Sequence, residues 1–161
     1  MSETLLLWRI VPGNDVNRAM SGSGGMISSG RWHTRGRLIV YLASTPSLAM
    51  LEILVNTTSQ QLSARSYHLM EVQLPGDSAE ALDLARLPRG WNNPDRVQVT
   101  ADLGNAWIDR SEHAALRVPS AVVPLEVQAL EHNYLINPLH PRWAERQVTQ
   151  VLPLPFDTRL E

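Results

Sequence analysis

The stretch Ser21–Leu54 reads SGSGGMISSGRWHTRGRLIVYLASTPSLAMLEIL. It passes from a glycine- and serine-rich segment through an arginine–tryptophan pair into an apolar run, and then into a capped helix. Arg37–Ala43 (RLIVYLA) is β-branched and apolar between Gly36 and Ser44-Thr45-Pro46, which predicts a strand covered on both faces. Tyr41 alternates with Ile39 and Ala43, so the three share one strand face. Ser44 or Thr45 is placed to cap the helix that follows, and Pro46 suits its first turn, where a missing N–H is not needed. Leu48, Leu51, Leu54 and Val55 recur at helical spacing and predict its buried stripe, with Glu52 at the stripe's edge. Arg31, Tyr41 and Glu52 therefore stand at the joints between ordinary parts and are the candidates for chemistry. A core aromatic and a solvated flank carboxylate are the bland alternatives for Tyr41 and Glu52.

On the N-terminal side, Leu5–Val11 (LLLWRIV) reads as a strand ended by Pro12-Gly13-Asn14. Arg9 inside it is either an edge residue facing solvent or an anion contact. Asp15–Gly25 reads as a loop, whose glycines either bend the chain sharply or let backbone approach a ligand. It does not match a dinucleotide-binding fingerprint, because no strand leads directly into it and no helix is expected to open from it. On the C-terminal side, Ser66–Leu74 predicts a half-buried strand with His68, Met70, Val72 and Leu74 on one face, followed by a turn at Pro75-Gly76-Asp77. Pro88–Pro94 is a loop and Asp95–Asp109 a helix with Val97, Ala101, Gly104 and Ile108 on one side. Trp91 and Trp107 read as packing residues. Ala114–Val118 is another strand, followed by Pro119-Ser120 and the apolar run Ala121–Val123. The proline-punctuated tail VLPLPFDTRL packs as an extended segment. No repeat, low-complexity segment or linker divides the chain, so residues 1–161 form one domain of mixed α+β class.

Composition narrows the function classes. The chain is 43% hydrophobic and 19% charged, globular values with enough apolar material for a core. It has no run long and apolar enough to span a membrane and no basic segment of the kind that opens a signal peptide, which points to the cytoplasm. Cysteine is absent, so disulfides and thiolate metal sites are impossible. All 14 basic residues are arginine and the net charge is -2, with only Arg31, Arg35 and Arg37 close together. Nucleic acid is a poor partner for such a surface. Without lysine there is neither a Walker-type phosphate loop nor Schiff-base chemistry. The histidines show no metal-ligand spacing, and no GxSxG elbow supports a serine hydrolase.

The order of motifs SGRWHTRG, VYLASTPSLAMLEILV, ALRVPSAVV, EHNYLINPLHP and PFDTRL resembles the RES domain, a family named for its arginine, glutamate and serine. The resemblance covers essentially the whole chain, from Leu7-Trp8-Arg9 to Leu160. Position by position, it implies that the family arginine is Arg31, the glutamate Glu52, the serine Ser120 and the strand tyrosine Tyr41. It also implies a fold like that of ADP-ribosyltransferase toxins, and membership of a toxin–antitoxin pair whose antitoxin carries an Xre-like helix-turn-helix. The toxin would then sit in a hetero-oligomer with that antitoxin. The implied activity is degradation of NAD by cleavage of its nicotinamide–ribose bond, with water, phosphate or a protein as acceptor. NAD would be the substrate, with no resident cofactor and no metal. Two departures accompany the resemblance: Ser29-Gly30 replaces the family's paired glycine, and the 126–133 stretch is longer than usual and can reshape one wall of the pocket or the antitoxin surface.

The residues suit that chemistry in their own right. An arginine offers a planar fork matched to pyrophosphate oxygens, a role for Arg31 and less directly for Arg9. Loss of nicotinamide leaves oxocarbenium character on the ribose, which one carboxylate, Glu52, would stabilise. Tyr41 offers a ring face to nicotinamide, Ser120 a hydroxyl, and Asn133 a further polar contact. The alternatives to an NAD-degrading enzyme are a protein ADP-ribosyltransferase using the same pocket and a non-catalytic nucleotide-binding module.

Overall fold

The computed structural model describes residues 3–127 and 130–160. Among these, seven strands form one sheet: β1 (Thr4–Pro12), β2 (Val40–Ala43), β3 (Tyr67–Pro75), β4 (Ala79–Ala81), β5 (Ala115–Val118), β6 (Asn133–Ile136) and β7 (Gln147–Pro153). Their order is β4-β5-β6-β2-β1-β3-β7, and only the β4–β5 pair is parallel. The helices are α1 (Val16–Ser21), α2 (Gly24–Ile27), α3 (Pro46–Asn56), α4 (Ser59–Ala64) and α5 (Gln98–Arg110). The mixed α+β class is as expected.

Two apolar clusters flank the centre of the sheet. Leu7, Val40, Leu42, Met70, Val72 and Ile136 anchor one; Trp32, Ile39, Trp91, Trp107, Leu116 and Leu135 anchor the other. The continuous apolar runs of the central strands are therefore explained by burial on both faces. On β3, Met70, Val72 and Leu74 are buried on one face as their alternation implies.

Several expectations require correction. The loop expected at Asp15–Gly25 contains α1, capped by Asp15, whose side chain accepts from the Arg18 N–H, and ended by Gly22 in the left-handed region at φ 76°. The single helical turn of α2 follows. Arg37–Ile39 do not extend β2, because their backbone bonds instead to this segment: Ile39 N–H donates to Gly22 O and Gly36 N–H to Gly25 O. A Cβ on Gly25 would stand 2.0 Å from Arg37 O and one on Gly22 2.7 Å from Ile39 N, so these two glycines permit contact with the protein's own backbone. The helix α5 starts at Gln98, with Val97 as its N-cap, since Asp95 and Arg96 bond back to Asn93 in the preceding turn.

The stripe on α3 is displaced from the one expected. Leu48 and Ala49 are buried, whereas Leu51 and Val55 are 44% and 57% exposed. The inward face passes through Glu52, which an apolar count ignores. Three strand or helix elements went unread: α4, whose Thr58–Gln61 capping box is a recognisable signal, the short β4, and β6. The tail is more than an extended segment, because β7 pairs with β3 and Phe156 packs edge-on against Tyr67 at 5.4 Å.

Candidate active site

An open cleft of about 690 Å³ lies over the β1–β2–β6 region, lined among others by Arg9, Arg31, Tyr41, Glu52 and Asn133. Each of these residues is placed by a different element, and the local sequence explains how.

Glu52 projects from α3 because the helix starts where it does. Thr45 caps it by accepting from Leu48 N–H at 3.0 Å, while its own hydroxyl donates to Glu131 at 2.5 Å. Ser44 exchanges backbone and side-chain bonds with His132. The joint between β2 and α3 is thereby tied to the residues just before β6. Asn133, the first residue of β6, pairs with Ala43 on one side and Val118 on the other.

That register brings three residues together. The Ser120 hydroxyl donates to Glu52 Oε1 at 2.7 Å, and the Asn133 amide Nδ2 donates to the same oxygen at 2.6 Å. Ser120 Oγ in turn accepts from Val122 N–H at 3.2 Å. Ser120 is fully buried and supports the carboxylate from behind rather than lining the cleft. Two donors on one carboxylate oxygen fix its rotamer. Glu52 Oε2 has no hydrogen-bond partner among the described residues.

Arg31 follows the tight Gly30 turn, and α5 holds it. Its Nη1 donates to Trp91 O at 2.9 Å, and its own carbonyl accepts from Thr100 Oγ1 at 2.7 Å. Asn105 bonds both the backbone and the hydroxyl of Thr34. Gly104 abuts Trp32, leaving no room for a side chain. Burial lowers the Arg31 guanidinium from its ordinary value, and the Glu52 charge offsets part of that. The two opposite charges of the cleft thus sense each other.

Tyr41 presents its ring, because its hydroxyl is already committed. His33 Nε2 lies 2.8 Å from the Ser28 carbonyl, which only accepts, so Nε2 carries the proton and Nδ1 is the acceptor. The Tyr41 hydroxyl therefore donates to His33 Nδ1 at 2.6 Å and accepts from Trp32 N–H at 3.4 Å. Burial raises the Tyr41 hydroxyl pKa and lowers that of His33, which keeps both neutral. A Cβ on Gly30 would meet the Tyr41 hydroxyl at 2.8 Å, so the residue before the arginine must be glycine for this lock to close.

Arg9 reaches under β2. Its Nη1 donates to Tyr41 O at 3.1 Å, while its Nε is enclosed with no partner, and burial pushes its pKa down to about 10. Sequence reasoning did not find His33, Thr100 or Asn105. Only His33, two residues after the arginine, carried a signal in the sequence. Of the longer 126–133 stretch, Gln128 and Ala129 lie outside the described residues. For metal ligation, the described residues offer one grouping, Glu80, Glu112 and His113, away from the cleft, where Arg110 and His113 already engage Glu80.

A mixed sheet with an arginine–glutamate cleft at its centre defines a class of small α+β protein, and comparison with known proteins narrows it. The RES domain family matches residues 6–157, and the chain belongs to that family. It is 37% identical over 157 residues to "Toxin Res" of Pseudomonas putida, covering 97% of this chain and 99% of the relative. It is 35% identical over 162 residues to the "Prs ADP-ribosylating toxin" of a Sphingobium species, covering 98% of this chain and 97% of the relative. Among solved structures, the Mycobacterium tuberculosis MbcT–MbcA toxin–antitoxin complex contains a chain with the same fold. The TM-score is 0.71 at 18% identity, over 96% of this chain and 86% of that one.

Proposed function

We propose that this protein is the toxin of a toxin–antitoxin pair and that it consumes NAD+ by breaking the nicotinamide–ribose bond. The observation that carries this reading is the clamped carboxylate: Ser120 and Asn133 hold Glu52 Oε1, leaving Oε2 available in a cleft that also contains Arg31. Names borne by relatives, including an ADP-ribosylating toxin, support it.

In this reading Arg31 engages the pyrophosphate of NAD+, and the Tyr41 ring stacks on nicotinamide. The bond between the nicotinamide nitrogen and ribose C1′ breaks, with its electron pair leaving on nicotinamide. Glu52 stabilises the positive charge that develops on the ribose, in the manner of a glycosidase carboxylate. An oxygen of water or phosphate, or a side chain of a protein, then bonds to C1′. The carboxylate is preorganised because both its donors are rigid parts of the sheet and its flanking loop, so little reorganisation accompanies the charge change.

The partner in this proposal is a cognate antitoxin of Xre-like type, made and bound in the cytoplasm. The fold likeness to a chain from a toxin–antitoxin complex supports a partner of that general kind. A second reading, protein ADP-ribosylation, keeps the same residues and changes only the acceptor; the name of the Sphingobium relative favours keeping it.

The test is a mass-spectrometric time course of NAD+ with antitoxin-free protein, with and without phosphate, beside Glu52→Gln. Free nicotinamide with ADP-ribose identifies a glycohydrolase, and a phosphorylated ADP-ribose formed only with phosphate identifies a phosphorylase. Nicotinamide release that requires added cell protein, with label on a protein, identifies the transferase. Intact NAD+ in every arm, from folded protein, refutes the proposal.

A further inference from the structure

Arg9 lines two clefts. Besides the one containing Glu52, it faces a second hollow of about 680 Å³ at the β1–α1 corner, bounded by Gly13, Asp15, Arg18, Gly24 and Arg65 among others. Gly24 also lines both, so the two hollows are neighbours across Arg9 and Gly24. Three arginines line the second hollow, together with a single acidic residue, Asp15. Its carboxylate already accepts from the Arg18 N–H as a helix cap.

The arginines there are not spent on the protein. Arg18 and Arg65 have no side-chain partner among the described residues. Arg9 uses Nη1 on Tyr41 O and leaves its enclosed Nε unsatisfied. Guanidiniums are the donors best matched to phosphate oxygens.

The geometry points to a second, phosphate-binding subsite in this hollow, with Arg9 at its base and Arg18 and Arg65 at its rim. It takes a phosphate group, free or carried on a small phosphate monoester, beside whatever occupies the first cleft. Arg9 then acts as the shared wall: an anion on its second-cleft side neutralises a charge that also faces the first. This subsite goes beyond the NAD+ reading and does not depend on it.

The test is calorimetric titration of inorganic phosphate and of phenyl phosphate into the whole Glu52→Gln protein, alone and saturated with ADP-ribose, with phenol as the uncharged control. Arg18→Gln/Arg65→Gln added to the same background is the variant; both positions are exposed, so the fold is retained. The subsite predicts binding that persists with ADP-ribose present and weakens about tenfold in the double variant. Binding should also weaken as salt rises. Equal binding of the two anions assigns the subsite to free phosphate, and binding of phenyl phosphate alone assigns it to an ester. Binding unchanged in the double variant, abolished by ADP-ribose, or undetectable for both anions overturns the subsite. ADP-ribose affinity is measured in the same experiment, so failure of the dinucleotide reading shows separately.

Discussion

Gly104 of α5 lies directly against the carbonyl of Trp32, so close that a Cβ at that position would stand 1.8 Å from the carbonyl oxygen. The helix and the arginine-bearing loop are packed backbone to backbone. Gly104→Ala must push them apart, at a cost of about 1–3 kcal/mol for overpacking. A melting temperature lower by roughly 2–8 °C is expected. NAD+ turnover should fall further than the melting curve explains, because Arg31 moves with the loop. An alanine variant with unchanged melting and unchanged turnover would show that the loop adapts freely.

The clamp on Glu52 makes a prediction about coupling. Ser120→Ala removes a charge-assisted donor worth about 1.5–3 kcal/mol, so turnover should drop roughly 10- to 100-fold. Glu52→Gln should cost on the order of 10²–10³. Because Ser120 acts through the carboxylate, adding Ser120→Ala to Glu52→Gln should cost little more, as a double-mutant cycle measures. Additive losses would mean that Ser120 touches substrate by itself.

Tyr41 separates ring from hydroxyl. With the hydroxyl locked to His33 and Trp32, Tyr41→Phe should lose about 1–3 kcal/mol of stability by stranding those partners, while KM for NAD+ stays near that of the parent. Tyr41→Leu should raise KM by up to about tenfold through loss of the stacking face. If the folded phenylalanine variant is inactive, the hydroxyl rather than the ring carries the role.

His33 gives the lock a pH dependence. Burial lowers its folded pKa below the ordinary histidine value near 6.5. The unfolded chain therefore takes up the proton first, and stability, fully present above about pH 6.5, declines as pH falls toward the folded pKa. Urea unfolding at pH 5.5 and 7.5 should show this decline in the parent and a smaller one in His33→Gln. An identical slope in both would assign the effect to other groups.

Much of this architecture is visible in the amino-acid string, and the parts that are not have physical reasons. The strand at Val40–Ala43 and the cap and proline of α3 are local signals, and local signals survive folding. Hydrophobic periodicity misplaces the inward face of α3 because it treats a glutamate as solvated, while Glu52 turns inward to donors 68 and 81 residues away. No local pattern announces such partners. The glycines at 22 and 25 announced close approach without saying to what, and the answer is the Arg37–Ile39 backbone. Asn105 and Thr100 looked like ordinary helix residues, since their bonds to Thr34 and Arg31 exist only once α5 docks. Ser120 and Asn133 were singled out by resemblance; their shared grip on one oxygen needed the β5–β6–β2 register.

The placement of β6 between β2 and β5 bears on how the protein is born. During synthesis Arg31 and Glu52 emerge early, but the centre of the sheet stays open until the chain reaches Ile136. A nascent or truncated polypeptide ending before Asn133 carries both charged residues without the Asn133 half of the grip that aims the carboxylate. The ribosome therefore delivers the aimed carboxylate only after Ile136 has emerged, well after both charged residues.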